Sequence, residues 1–419
     1  MSEPAAAATT GADRSVWKNV LGIALGNAAG EVFTVAVQAL VIAQLGAAGF
    51  GRFAQAQAFA EVADGVGSFG LNQVGPVLAV AHRERLGAFL GTLLAVRLTG
   101  VILVFFGTWA LLPALDISEP GLALLAMGLV FATPFLATAA VPLFLNQHNW
   151  RVAWIPASIG ALQLGFVGIA LWLWTSVVAV ILATLAARAV HVALLTAVVR
   201  RLYGIRLSLD RDVAKAILRV SPKAAWLDSV VILYTRASYL VLDSLGPVVL
   251  GYYALADRIA TPFLRVSGAF SAASLTVLAD FATRGQRAEL TAFYLRNVRR
   301  LVVILAGMGL LLALVVPAII LGFFPDWQPT LPILGVLYVG VCFMAVNQVS
   351  SATLNALGRF GRVAVVATVN LLVYGVGIAL WFERHGAMGA AYATTLMEGC
   401  NCLMQMGLLY ASLKPARAG

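Results

Sequence analysis

Charge is scarce in this chain. Only 11% of its 419 residues are Asp, Glu, Lys or Arg, against roughly a quarter in ordinary soluble domains, while 61% are hydrophobic. A soluble fold of this size cannot hide that much apolar surface. Cysteine is nearly absent. Cys342, Cys400 and Cys402 lie in apolar stretches, too few and too poorly spaced for a disulfide framework or a zinc site, and read as packing residues. Histidine is as sparse: His82, His148 and His385 fall in connections and His191 sits near Arg188, so no metal or catalytic constellation forms. The first fourteen residues, MSEPAAAATTGADR, lack the basic start and apolar core of a cleaved signal peptide, so residues 1–15 are expected to be a short disordered cytoplasmic tail. The net charge of +10 raises nucleic acid as a partner, but the basic positions follow membrane topology instead.

What the chain has is long apolar runs. At about 20 residues per crossing, the runs broken by charge, Gly or Pro predict twelve transmembrane helices. They lie near 16–45, 50–80, 88–112, 121–145, 150–174 and 177–201, then 217–245, 248–280, 298–324, 328–356, 363–382 and 387–412. This leaves no room for a separate soluble catalytic domain, and the expectation is that the protein is not an enzyme. With an even number of spans both termini share one side. Taking that side as cytoplasmic places 21 of the 28 Lys and Arg residues on inner ends and loops, among them Arg83, Arg200, Arg206 and Arg299, against Arg52 and Arg384 outside.

The one long polar connection, LYGIRLSLDRDV from Leu202, follows the sixth span. It divides the chain into an N-terminal lobe (16–201), a cytoplasmic linker (202–216) and a C-terminal lobe (217–413), with a second tail at 414–419. The lobes are related in sequence. LGAAGFGRFAQAQAFA from Leu45 and LGPVVLGYYALADRIA from Leu245 align at an offset of 200, matching Gly46 with Gly246, Ala54 with Ala254 and Ala60 with Ala260. Six helices per repeat preserve orientation, which predicts a parallel pseudo-twofold repeat, a transporter architecture.

Ionisable groups inside spans are expensive and are functional candidates by default. In the first span Asn27, Glu31, Thr34 and Gln38 recur at i, i+4, i+7 and i+11, and in the second Gln57, Glu61, Asp64 and Ser68 repeat that spacing, each set on one helix face. Glu31, Glu61 and Asp64 together make a candidate site for a coupling proton or sodium ion, because close carboxylates raise one another's cation affinity. The alternative is that Arg97 or Arg188 neutralises them as structural ion pairs.

The second half has the opposite sign. Arg236 and Arg258 lie ten residues before and twelve residues after Gly246, and Arg265 is i+7 from Arg258, so three guanidiniums line one path suited to a phosphate-bearing headgroup. The alternative pairs Arg236 or Arg258 with Asp228, Asp243 or Asp257. Gln348, Ser351 and Asn355 in the tenth span, and Thr394, Glu398, Asn401 and Gln405 in the twelfth, would either meet sugars or glue helices together.

The order of segments resembles the bacterial oligosaccharide flippases, the polysaccharide and O-antigen branch of the multidrug, oligosaccharidyl-lipid and polysaccharide exporter superfamily. The resemblance rests on QLGAAGFGRFAQAQAFAEVAD, VPLFLNQHNWRVAWIPASIG, LGPVVLGYYALADRIATPFLRVSGAFSAASLTVLADFATRG, NALGRFGRVAVVATVNLLVYGVGIAL and HGAMGAAYATTLMEG. It implies an all-α, MATE-like fold in the bacterial inner membrane, with export of polyprenyl-diphosphate-linked glycan to the periplasmic leaflet by alternating access. Arg236, Arg258 and Arg265 would then meet the diphosphate, and Glu31, Glu61 and Asp64 would serve sodium or proton coupling, with no other cofactor. Gln38, Gln57, Arg97, Arg188, Asn355 and Glu398 are the further polar residues expected in the cavity. Membrane lipid, a polysaccharide polymerase and glycosyltransferases are the implied partners, and nucleic acid is not. The rival within the superfamily is a multidrug exporter, which would favour an acidic, aromatic cavity. A membrane glycosyltransferase or ligase would need larger outer loops.

Overall fold

The computed structural model describes residues 4–111, 113, 118–145, 149–204 and 206–413. His148 and the tail at 414–419 lie outside them. The described residues form helices and connecting turns, with no strand among them.

The amino-terminal helix α1 (Pro4–Gly67) begins inside the segment expected to be a tail, and the turn expected between the first two predicted spans is a break in it at Gly46. There φ is 64° and ψ −168°, a conformation that belongs to glycine, and no neighbouring atom would obstruct a side chain. The second span continues past a turn at Ser68–Gly70 into α2 (Leu71–Ala81), and Phe69 at the turn carries a positive φ of 49°. Helix α3 (Leu86–Leu111) is the third span. The fourth is α4 (Pro120–Met127) joined through a 3-10 turn, Gly128–Ala132, to α5 (Thr133–Leu145). Helices α6 (Asn149–Leu173) and α7 (Val177–Tyr203) follow.

Beyond the connection come α8 (Arg211–Val241), α9 (Pro247–Ala260) and α10 (Leu264–Thr283), the last two joined by a 3-10 turn at Thr261–Phe263. Then α11 (Arg287–Phe323), α12 (Thr330–Ala356), α13 (Phe360–His385) and α14 (Ala387–Leu413) complete the described chain. Among the described residues eight helices are long and apolar enough to cross a membrane by length and composition, and large side chains such as Trp172, Val32 and Leu103 stand exposed on their surfaces. In water such surface would be untenable, and the protein is a multi-pass membrane protein.

The chain forms two compact units that divide between Ser229 and Val230, inside α8, rather than in the polar connection at 202–216. The reason lies in the first half of α8, where Val213 and Ile217 pack into a core with Leu71, Phe89, Leu90 and Val141 of the first unit. The connection itself is pinned to α3. Ser208 N–H donates to the Gly87 carbonyl at 3.3 Å, and Asp210 N–H donates to Thr92 Oγ1 at 2.9 Å. Within the first unit α1 and α6 approach closely, since Cβ atoms at Gly30 and Gly160 would come within 2.8 Å of Pro156 and 2.6 Å of Phe33. The second unit has its own core, in which Tyr294, Leu301 and Leu305 of α11 meet Ala345 and Val349 of α12 and Leu409 of α14.

Candidate functional site

In the first unit the i, i+4, i+7 face of α1 carries Gln57, Glu61 and Asp64 to the wall of a cavity of about 70 Å³. Leu129, Val130 and Thr133, on the 3-10 turn and at the start of α5, close another side, and Arg188 of α7 completes it. Thr133 donates a hydrogen bond to Asp64, and Arg188, Arg97 and Glu61 all lie within electrostatic reach of that carboxylate. Arg188 is also within reach of Glu61 and donates to the Leu129 carbonyl at 3.3 Å. Two acids and the Arg188 guanidinium thus line a space that holds one or two waters or a small cation, with Arg97 behind it, in reach of Asp64.

Arg97 is 3% exposed. Its Nη2 donates to the Leu71 carbonyl (2.9 Å) and to Asn72 Oδ1 (3.2 Å), and its Nη1 to Thr138 Oγ1 (3.5 Å). Leu71 and Asn72 open α2, directly after the turn at Ser68–Gly70. Glu31 and Gln38, both half-buried on α1 before the Gly46 break, do not line the cavity. The structure therefore brings together Glu61 and Asp64 from the expected carboxylate cluster, along with Gln57, Arg97 and Arg188. Thr133 was not anticipated, because a single uncharged hydroxyl inside the fourth predicted span carries no signal of its own.

In the second unit Arg236 Nη1 lies 3.3 Å from Asp257 Oδ2, one of the two alternatives that its sequence left open. Tyr239 Oη donates to the same carboxylate oxygen at 2.6 Å, and Thr261 Oγ1 donates to the other at 3.1 Å. The guanidinium also sits 5.8 Å from the centre of the Tyr239 ring. Asp257 thus organises one arginine, one phenol and one hydroxyl. Arg258 is half-buried on α9 and Arg265 is exposed on α10. The 3-10 turn at Thr261–Phe263 lies between them, so the i+7 spacing does not run along one regular helix. A buried hydroxyl cluster adjoins this group, with Ser238 Oγ 2.6 Å from Tyr374 Oη and 3.4 Å from Thr394 Oγ1.

The polar stripes of α12 and α14 face each other. Asn347 Nδ2 donates to Glu398 Oε2 at 2.8 Å, as does Asn401 Nδ2 at 3.3 Å; Gln405 Nε2 donates to Asn401 Oδ1 and Ser351 Oγ to Gln405 Oε1, both at 2.8 Å. Glu398 is 2% exposed. Of the two roles left open for these side chains, this chain of bonds is the gluing of helices. Asn347 was not singled out in the sequence because it neighbours Gln348, which instead accepts from Ser267 at 2.6 Å. Asn355 is half-buried near the end of α12. Among the described residues no group of three His, Cys, Asp or Glu side chains is placed to hold a metal.

These helices, their two units and their buried charges define a polytopic membrane protein with a transporter fold. The chain belongs to the polysaccharide biosynthesis protein family, whose sequence profile matches residues 44–332. It is similar in structure to a lipid II flippase, MurJ, in an inward closed conformation, at 13% identity and a TM-score of 0.75, over 93% of this chain and 87% of that one. It is similar also to an inward-facing multidrug resistance MATE family transporter of the MOP superfamily, at 18% identity and a TM-score of 0.70, over 93% and 95% of the two chains. A MOP superfamily transporter from Pyrococcus furiosus, described as having a binding pocket of reversed polarity, matches at 16% identity and a TM-score of 0.65 over 96% of each chain. No curated protein sequence matches the chain.

Proposed function

We propose that the protein is a flippase that moves polyprenyl-diphosphate-linked oligosaccharides from the cytoplasmic to the periplasmic leaflet of a bacterial inner membrane, by alternating access of its two units. The observation that carries this reading is the match to the polysaccharide biosynthesis family over residues 44–332, which reach into both units. The fold shared with a lipid II flippase supports it. So does the basic character of the second unit's opening helices, since a cationic drug would be repelled where Arg236, Arg258 and Arg265 concentrate positive charge. Asp257 offsets part of the charge on Arg236, and the diphosphate would be met by Arg236, Arg258 and Arg265 together. The excess of basic residues on one side argues for both termini in the cytoplasm.

Coupling to a sodium or proton gradient belongs to the cavity of Glu61 and Asp64. With two arginines already facing the two acids, an arriving cation competes with Arg188 for Asp64, and release of that guanidinium is the event that would shift the helices.

The test is transbilayer movement of a fluorescent polyprenyl-diphosphate oligosaccharide in proteoliposomes. Arg258→Ala and Arg265→Ala should each slow movement, and the double variant should abolish it while its thermal unfolding stays unchanged. Full movement in the singles and the double removes the anion site. Equal rates with and without a sodium or proton gradient remove the coupling.

A further inference from the structure

A second cavity, of about 410 Å³, lies at the basic end of the first unit, between the start of α3, the middle of α5 and the end of α7. Its walls are apolar, with Leu90 and Leu94 from α3, Phe135 and Ala139 from α5, and Val199 from α7. Arg200 and Arg206 also line it, and both are exposed. Among the described residues neither guanidinium has a hydrogen-bond or ion-pair partner. The acids nearest in sequence are engaged elsewhere, Asp210 with Arg85 at 3.8 Å and Asp212 with Lys215 at 3.8 Å.

One wall is the connection after α7, which contributes Arg206 and Leu207. It is a fixed wall. Besides the bonds from Ser208 and Asp210 to α3, Gly91 lets the chain lie so close that a Cβ there would come within 2.8 Å of Ser208 N. Asp210 Oδ1 then accepts from Asp212 N–H and Val213 N–H at the start of α8.

An apolar slot with two unopposed guanidiniums among its lining residues is complementary to an amphiphile with an anionic head and a hydrocarbon tail. We propose that this groove binds an anionic membrane phospholipid, its phosphate between Arg200 and Arg206 and one acyl chain along Leu90, Leu94 and Phe135. The surrounding end of the unit, with Arg83, Arg85, Arg201, Arg211 and Lys215, is basic and draws anionic lipid to the groove from the adjoining leaflet. Bound there, the lipid ties α3, α5 and α7 to the connection that leads into α8, so occupancy stiffens the route between the two units.

Native mass spectrometry of the full chain, released from detergent with phosphatidylglycerol or phosphatidylcholine of the same acyl chains, tests this. Retention of phosphatidylglycerol over phosphatidylcholine is expected. That preference should fall about tenfold in Arg200→Ala/Arg206→Ala, and survive in Arg200→Lys/Arg206→Lys and in Arg201→Ala, since Arg201 does not line the groove. Leu94→Trp, which fills the slot, should lower retention of phosphatidylglycerol with both arginines present. Equal retention of the two lipids, or an undiminished preference in the double alanine variant, overturns the proposal. Displacement of phosphatidylglycerol by an equal amount of undecaprenyl phosphate also overturns it, by making the groove a site for the carrier lipid. None of these outcomes depends on whether the protein moves glycans.

Discussion

Gly46 and Gly246 stand 200 residues apart and interrupt their helical segments in the same way, with φ/ψ of 64°/−168° and 90°/160°. The residues that follow keep step: Phe53 and Tyr253 are both buried, as are Ala54 and Ala254, and Ala60 and Ala260. The repeat detected as letters is thus a repeat of backbone conformation. Its chemistry is not repeated. Gln57, on the wall of the first unit's small cavity, corresponds to Asp257, which holds Arg236 in the second. One scaffold therefore carries two different electrostatic sites.

Because these two glycines are required for their backbone angles, Gly46→Ala and Gly246→Ala should each destabilise by about 1–2 kcal/mol. Neither change creates a clash. Gly165→Ala, in the helical interior of α6 with equally open surroundings, should be neutral or slightly stabilising. Thermal unfolding in detergent compares the three.

Asp64→Asn removes a charge that Arg188 and Arg97 both face. Leaving buried guanidiniums without their acid should cost about 3–5 kcal/mol. Arg188→Gln added to Asp64→Asn should return part of that loss, and a double-mutant cycle by thermal or denaturant unfolding measures how much. Additive losses would show that the two side chains act independently.

The α12–α14 network should respond as a unit. Asn347→Ala is expected to cost about 0.6 kcal/mol, the average for hydrogen bonds between membrane helices, and no more than about 1.7 kcal/mol, their maximum. Glu398→Gln, which keeps the shape and most of the bonding, should cost less than Glu398→Ala. In a cycle between positions 347 and 398 the two alanine variants should be less than additive, read by unfolding in detergent.

Asp210 lies in the connection, outside the spans. The main-chain N–H groups of Asp212 and Val213 hold its carboxyl below the usual aspartate range, with Arg85 adding to this. A carboxyl whose folded-state value is depressed contributes stability above its unfolded value and loses it as pH falls through the folded one. Asp210→Ala should therefore lower the unfolding temperature at neutral pH, and the gap from the unmodified chain should close as pH drops below about 4, the ordinary aspartate value. A gap that stays constant with pH would mean that the cap acts without its charge.

Much of this molecule was legible in the sequence because a membrane imposes rules that composition reveals. With no water in the hydrocarbon to satisfy main-chain groups, apolar runs of this length must be helical, so the all-α, multi-pass fold follows from residue order, and so does a turn between the first two predicted spans, which the structure places at Gly46. Helical spacing likewise placed Gln57, Glu61 and Asp64 on one face. What spacing along one helix does not contain is the identity of the neighbour. Only the tertiary structure decided that Arg236 meets Asp257, that Glu398 meets Asn347 rather than open space, and that Glu61 and Asp64 but not Glu31 line the small cavity. It also placed the boundary between units inside α8, because Val213 and Ile217 find their apolar partners in α2 and α3. Hydrophobic burial along each helix is a local, periodic property; the pairing of buried charges depends on which helices come to lie side by side.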